Sequence, residues 1–205
     1  MVDSIKPSFV LDFNNDVELE QNEKVKAYLT IGIEKGVHKK YKTIRRKKWY
    51  KIPSIGSPTD GFFFRRSDQY PKIIKNEAQV LSTDSAYILS MQTGYNIESL
   101  VYSFYNSVTL AFAELYGRYY GGGVLELTPN EFRKLPVPYM NLSVEDFSSF
   151  ALMFKNKASI NEVCAKNDYS ILTSSILNID NEVIDKVSQI RKKLIMRRIK
   201  KEGSC

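Results

Sequence analysis

Sulfur and imidazole ligands are scarce in this sequence. The 205-residue chain contains two cysteines, Cys164 and Cys205, and one histidine, His38. A disulfide framework and a zinc site with four Cys or His ligands are therefore excluded. So few thiols favour a reducing compartment, for which we expect the cytoplasm. Any histidine-based catalytic arrangement would depend on His38, which lies in a basic run without acidic residues.

Long apolar runs and nucleotide-binding loops are also missing. No stretch approaches the roughly 20 apolar residues that cross a bilayer, and the first 16 residues lack the regions of a signal peptide, so we expect no membrane association. The triglycine Gly121–Gly123 follows a predicted helix and opens a predicted strand. Phosphate-binding loops have the reverse order. We predict no metal site, no bound cofactor and no catalytic residue in this chain.

Positive charge is abundant. The formal net charge is +7, and residues 35–51 hold nine Lys or Arg and no acidic residue. Three aromatic residues, Tyr41, Trp49 and Tyr50, interrupt this run. A basic segment with interleaved aromatics favours a nucleic-acid partner, whereas a merely solvated basic face is the alternative interpretation.

Hydrophobic patterning predicts an α+β fold. The β-prone segments predict a twisted, mostly antiparallel sheet from residues 48–90 and 123–127, including a short strand in WYKIP (49–53). This sheet is expected to pack on one helix over residues 97–117. Further helices are predicted over 17–35, 143–156 and about 180–200, and Thr128-Pro-Asn-Glu131 is a capping box for a short helix.

An ordered series of motifs resembles a known family. The motifs are WYKIP (49–53), 71–76, 82–84, 105–107, GRYYGGGVLEL (117–127) and RKLPVP (133–138). In this order they resemble the C-terminal part of bacterial adenine-specific DNA methyltransferases of the TaqI type, which accompany restriction enzymes or are fused to them. The resemblance covers about residues 20–140, and GRYYGGGVLEL is its most specific part.

The resemblance implies a target-recognition domain without methyl transfer. Family enzymes carry a separate catalytic domain that binds S-adenosylmethionine and holds the flipped adenine with an Asn/Asp-Pro-Pro-Tyr/Phe motif, and this chain has no Pro-Pro dipeptide. Residues 1–140 are therefore expected to read double-stranded DNA, with residues 141–205 as a helical extension. The expected protein partner is a methyltransferase catalytic domain or subunit.

The candidate DNA-binding residues fall into three groups. The first group lies in the basic run. Its basic residues are expected to contact phosphates, and they are Lys39, Lys40, Lys42, Arg45, Arg46 and Lys48. The aromatic residues Trp49 and Tyr50 follow directly and belong to the same group. The second group consists of candidate base readers. Its arginines are expected to pair with guanine, and they are Arg65 and Arg66 together with Arg45 and Arg46 of the first group. Asn76 is expected to pair with adenine. The third group is the glycine-rich loop: Arg118, Tyr119, Tyr120, Gly121 and Gly122.

Several alternatives stay open at this point. The glycine-rich loop would face either the DNA or the catalytic domain. The chain would otherwise be a protein-interaction module or a specificity subunit that docks on a separate methylase. A nuclease would need clustered carboxylates, for which Glu77 and Asp84 are the nearest pair, yet strand spacing places them on opposite faces.

Overall fold

A computed structural model of the chain describes residues 9–14, 21–53, 56–82, 85–174 and 176–200, without the side chain of residue 200. The chain forms two compact units, Met1–Ser57 and Pro58–Cys205. Asp84, from the nuclease alternative, lies outside the described residues. None of the described helices combines the length and apolarity needed to cross a membrane.

In its described residues, the first unit contains one α-helix, a short 3₁₀ helix and a series of turns. Helix α1 (Glu23–Glu34) is capped by Asn22, whose side chain accepts a hydrogen bond from the Lys24 amide at 3.0 Å. It ends as predicted at Gly36, which has φ +67°. The chain then follows a short 3₁₀ helix (Val37–Lys39) and further turns. The predicted strand in WYKIP is wrong, because residues 49–53 complete these turns.

The second unit contains two three-stranded antiparallel sheets. Strands β1 (Gly61–Phe64), β3 (Ile73–Lys75) and β4 (Ala86–Leu89) form the first sheet, in the order β3-β1-β4. Strands β2 (Arg66–Ser67), β5 (Arg118–Tyr120) and β6 (Val124–Glu126) form the second sheet, in the order β2-β6-β5. The α+β class and the antiparallel pairing are confirmed. The single sheet is wrong, because the chain bends at Arg65 and β2 joins a different partner.

The predicted helix over residues 97–117 is two helices. Helix α2 (Ile97–Phe104) ends at Tyr105, and α3 (Ser107–Tyr116) begins after Asn106. The Asn106 side chain accepts a hydrogen bond from the Thr109 amide at 2.9 Å and donates one to the Ser103 carbonyl at 2.6 Å. Asn106 therefore caps α3 and interrupts the helix at a position that is fully buried.

Four more helices complete the second unit. Helix α4 (Pro129–Phe132) has the predicted capping box. Helix α5 (Val144–Lys155) and helix α7 (Asn181–Lys200) follow the predicted positions, whereas α6 (Ile160–Leu172) was not predicted. A further capping box, Ser159 with Glu162, starts α6. The division at residue 140, between target recognition and helical extension, is one of function and stays a prediction.

The main core lies between the first sheet and the helices. Phe63 is fully buried, and its ring contacts those of Tyr87, Phe104 and Phe132. Helix α7 packs chiefly on α3 and buries Ile184, Arg191 and Arg198. The apolar side chains of Val183 and Ile190 on the same helix are exposed. Arg191 and Arg198 are thus interior residues that a phosphate group cannot reach.

Burial makes Cys164 an inert thiol. Its side chain is fully buried, and burial raises its pKa to about 12. In a Cys205→Ser variant, a thiol reagent at pH 8 is expected not to label the native protein over the time in which it labels the unfolded protein completely. Reaction in guanidinium chloride is the control and should give one labelled thiol per chain. Rapid stoichiometric labelling of the native form would contradict this burial.

Candidate nucleic-acid interface

The GRYYGGGVLEL motif forms a β-hairpin. Strands β5 and β6 pair antiparallel, with Arg118 opposite Glu126 and Tyr120 opposite Val124. Gly121–Gly123 make the one-turn connection between them, and Gly122 and Gly123 have φ values of +81° and +65°. Residues with a Cβ rarely adopt this conformation, so the turn explains why two of the three glycines are needed.

Pairing with β2 brings distant candidate residues together. Arg66 and Arg118 both lie opposite Glu126, from the two neighbouring strands, so the three side chains share one face of the sheet. Tyr120 lies on the same face, and the Arg66 guanidinium is 5.8 Å from the centre of its ring. The predicted sites Arg65, Arg66, Arg118 and Tyr120 therefore form one exposed surface, which we call the arginine face.

Each arginine of this face contacts a carboxylate through its Nε atom. Arg65 donates from Nε to Glu126 Oε1, and Arg66 Nε lies 3.6 Å from the same oxygen. Arg118 donates from Nε to Glu131 Oε1 at 2.7 Å. In the part of the chain that the structure describes, the terminal Nη groups of these three arginines make no hydrogen bond to protein. A guanidinium held at Nε presents its two Nη groups, the pair that recognises guanine or phosphate bidentately.

The two carboxylates remain ionised at neutral pH. Burial alone would raise the pKa of Glu126, but hydrogen bonds from Tyr120 and Arg65 and the charges of Arg65 and Arg66 lower it. The pKa of Glu131 is lowered as well, because hydrogen bonds at Thr128 and the Arg118 side chain outweigh its burial. The stability gained from these pairs is therefore complete at neutral pH and is lost as the pH falls through these lowered pKa values.

A concave surface adjoins the arginine face. It encloses about 440 Å³ and is lined by Phe64, Arg66, Lys72 and Val124, together with Ser67 and Asp68. Its lining combines two cations and one carboxylate with two apolar side chains, which suits a ligand with an apolar flat part and hydrogen-bonding acceptors at its edge. Nucleic-acid bases on their phosphate backbone have this chemistry.

Tyr119 points away from the arginine face. It lies opposite Leu125 in the register, and its hydroxyl donates to the Glu114 carbonyl of α3. Burial, and after it the Glu114 charge, raises the pKa of Tyr119. Gly121 and Gly122 are exposed at the tip of the hairpin. Tyr119 thus anchors the hairpin, while the tip is accessible.

The predicted phosphate-contacting residues lie in the first unit. Lys39, Lys40, Lys42 and Arg45 are exposed, and the Arg45 guanidinium stacks 4.0 Å from the centre of the Tyr41 ring. Arg46 is turned inward, where its Nη1 donates to the Lys51 carbonyl at 2.9 Å. Lys48 is half-buried and already has a contact within the protein. The structure therefore leaves the first four as an exposed basic surface and gives Arg46 a role in holding the loop.

Trp49 and Tyr50 belong to an aromatic cluster of the first unit. The Trp49 ring lies 5.7 Å from that of Tyr50 and 6.4 Å from that of His38, and Tyr50 contacts Phe13. The edge of Trp49 rests on Gly32 of α1. Trp49 and Tyr50, both predicted to bind DNA, are half-buried, and the ring contacts described above lie within the first unit.

The contact between Trp49 and Gly32 gives a direct test of this cluster. A methyl group on Gly32 would overlap Cη2 of Trp49. Gly32→Ala is therefore expected to displace the ring and shift tryptophan emission to longer wavelength, although alanine favours the helix. Trp49 is the sole tryptophan, so the emission reports this site alone. Gly56→Ala is the control, because nothing lies within 4 Å of its added methyl group. Unchanged emission in Gly32→Ala would contradict the packing.

Asn76 lies in the interior of a turn. It is 3% exposed; its Nδ2 donates to the carbonyls of Thr59 and Val80 at 2.9 Å, and its Oδ1 accepts from the Val80 amide at 3.0 Å. A base edge could reach this amide only if the turn opened. In this structure Asn76 closes the loop that follows β3.

An apolar surface on the first sheet was not predicted. Phe62 lies opposite Ile74 and Ile88, and Ile88 is 63% exposed. Val80 and Leu81 are also exposed, and a cavity of about 450 Å³ separates this loop from the sheet. The signal for it in the sequence was the uninterrupted run Phe62–Phe64 in β1, which gives both faces of the strand apolar side chains. Among the described residues, no group of three or more His, Cys, Asp or Glu side chains could hold a metal ion.

The fold and the hairpin define an α+β domain of helices around two small antiparallel sheets. Residues 1–172 match the family model described as the C-terminal domain of the type II methyltransferase M.Eco57I, and the chain belongs to this family. No curated protein and no solved structure matches the sequence. The predicted relation to a methyltransferase C-terminal domain is thereby confirmed.

Proposed function

We propose that this chain binds duplex DNA and reads its sequence for an adenine-specific methyltransferase of a restriction–modification system, in the cytoplasm. The observation that carries the proposal is the arginine face, where Arg65, Arg66 and Arg118 are held at Nε and present their Nη groups. Arginine held in this way pairs with guanine O6 and N7. The exposed lysines of the first unit would add phosphate contacts, which strengthen binding without selecting a sequence.

Methyl transfer is assigned to a separate catalytic domain or subunit. The sequence lacks the Pro-Pro pair with which family enzymes hold the flipped adenine, and we place the S-adenosylmethionine site in that separate domain. The exposed side chains of Ile74 and Ile88, which flank buried Phe62, support a protein partner, because exposed apolar patches commonly mark such contacts. Under this proposal the arginine face meets DNA, and the apolar surface meets the catalytic partner.

Selection from a randomised duplex pool tests the proposal. The purified chain would be incubated with the pool at about 100 mM salt, and the retained duplexes sequenced. An enriched motif of several base pairs supports sequence reading. Retention without enrichment would reduce the proposal to nonspecific DNA binding. No retention at lower salt either would reject DNA binding and leave a protein-interaction module.

A further inference from the structure

Arg198 of helix α7 is completely enclosed by acceptors. Its side chain is 1% exposed, and its Nε and Nη2 donate to the two carboxylate oxygens of Glu114, each at 2.9 Å. Nη2 also donates to the Gln69 carbonyl at 3.1 Å, and Nη1 donates to the carbonyls of Asp68 and Gly123. These five hydrogen bonds use all five N–H groups of the guanidinium.

The acceptors belong to three segments around the arginine face. Glu114 lies on α3, immediately before the hairpin; Asp68 and Gln69 follow β2; and Gly123 is the last residue of the glycine turn. One side chain therefore joins the outer strand β2, the turn between β5 and β6, and the helix that leads into β5. Arg66 and Arg118 lie on the strands that this side chain fixes.

A glycine turn needs such an anchor. Gly122 and Gly123 have no side chains that could restrict the turn, and both adopt positive φ. A hydrogen bond to the Gly123 carbonyl limits the conformations that the turn can take before a ligand arrives. Ordering a binding segment in advance removes an entropic cost from binding.

We propose that Arg198 is the positioning residue of the arginine face and sets the spacing of Arg66 and Arg118 for base reading. This inference rests on the proposed function. The family match ends at residue 172, and α7 begins at Asn181, so the anchor comes from outside the matched segment. Helix α7 is in this view part of the reading apparatus rather than an appended tail.

The test compares Arg198 with a matched arginine on the same helix. Arg191 lies seven residues earlier, is equally buried, and donates to Ser107 and Asn161 at 3.2 and 2.7 Å, away from the hairpin. Arg198→Lys keeps a charge beside Glu114 but cannot reproduce the planar fork. Arg191→Lys removes a buried guanidinium with two hydrogen bonds to neutral side chains, without touching the glycine turn.

Hydrogen exchange of the hairpin provides a readout without DNA. In Arg198→Lys, the amides of residues 119–124 are expected to exchange at least about fivefold faster, whereas Arg191→Lys should leave them within about twofold of the wild type. Equal exchange in the two variants would overturn the positioning role. This result is independent of whether DNA is the ligand, so it separates the failure of the inference from the failure of the proposed function.

The second readout is sequence preference, measured with the selected duplex and a shuffled one at the same salt. Arg198→Lys is expected to lower the ratio of the two affinities by about tenfold, and Arg191→Lys by less than about twofold. If Arg198→Lys does not fold, the pair Glu114→Leu with Arg198→Met replaces it, because an apolar pair removes the buried charges together. A folded pair variant with wild-type preference and wild-type exchange would overturn the proposal.

Discussion

Replacing Glu114 by alanine is expected to lower the free energy of unfolding by about 3–5 kcal/mol. The Glu114 and Arg198 side chains are each 1% exposed, and the carboxylate accepts two hydrogen bonds from the guanidinium. Without Glu114 the buried guanidinium keeps its three backbone carbonyl acceptors but loses its counter-charge and two hydrogen bonds. This is a larger penalty than a surface ion pair could give, because exposed pairs contribute about 0–1 kcal/mol.

Denaturant unfolding followed by circular dichroism measures this effect. Six of the seven described α-helices belong to the second unit, so the signal reports mainly on that unit. Trp49 lies in the first unit, and its emission follows that unit separately. Glu145→Ala is the matched control: Glu145 is exposed in the first turn of α5, and its loss should cost less than about 1 kcal/mol. Equal destabilisation by both changes would contradict the buried pair.

Local signals in the sequence predicted much of the fold. The Thr128 capping box, the end of α1 at Gly36 and the strand after the glycines all depend on residues close together in the chain. The start of α6 carried a similar signal in Ser159 and Glu162, but its polar composition gave no clear apolar stripe. Helix starts that depend on short-range hydrogen bonds can therefore be predicted from their capping residues.

The break between α2 and α3 could not be predicted from apolar spacing. Both helices are buried on several sides, so apolar residues continue through the break without a change of period. The interruption is caused by Asn106, which binds Ser103 on one side and Thr109 on the other. A cap in the interior of a protein resembles an ordinary polar helix residue until its neighbours are known.

The arginine face itself depended on long-range pairing. Arg66 and Arg118 are far apart in the chain and meet only because β2 and β5 both pair with β6. Arg198 lies among several basic residues near the end of the sequence, and its partner Glu114 lies 84 residues away. The sequence shows where arginines are concentrated. Only the fold shows which of them have donors exposed at the surface and which are buried with their donors bonded to the protein.

The proposed function predicts two distinguishable kinds of loss on DNA. Replacing Arg66 and Arg118 by alanine is expected to lower the ratio of specific to nonspecific affinity by roughly 100-fold, because each bidentate base contact is worth about 1–3 kcal/mol of discrimination. Arg65 remains in this variant to neutralise the buried Glu126. Fluorescence anisotropy with the selected and shuffled duplexes measures the ratio, and circular dichroism checks that the fold is retained.

Replacing Lys39, Lys40 and Lys42 by alanine should instead weaken binding to both duplexes equally. If each lysine neutralises one phosphate, the slope of log affinity against log salt becomes shallower by about 2.7, because each contact contributes about 0.9. Lys155→Ala, an exposed change at the end of α5, is the control and should leave slope and preference unchanged. Loss of preference in the lysine variant, with retention in the arginine variant, would move sequence reading from the hairpin to the first unit. The two variants therefore locate the reading surface as well as detecting it, since phosphate contacts set affinity and base contacts set discrimination.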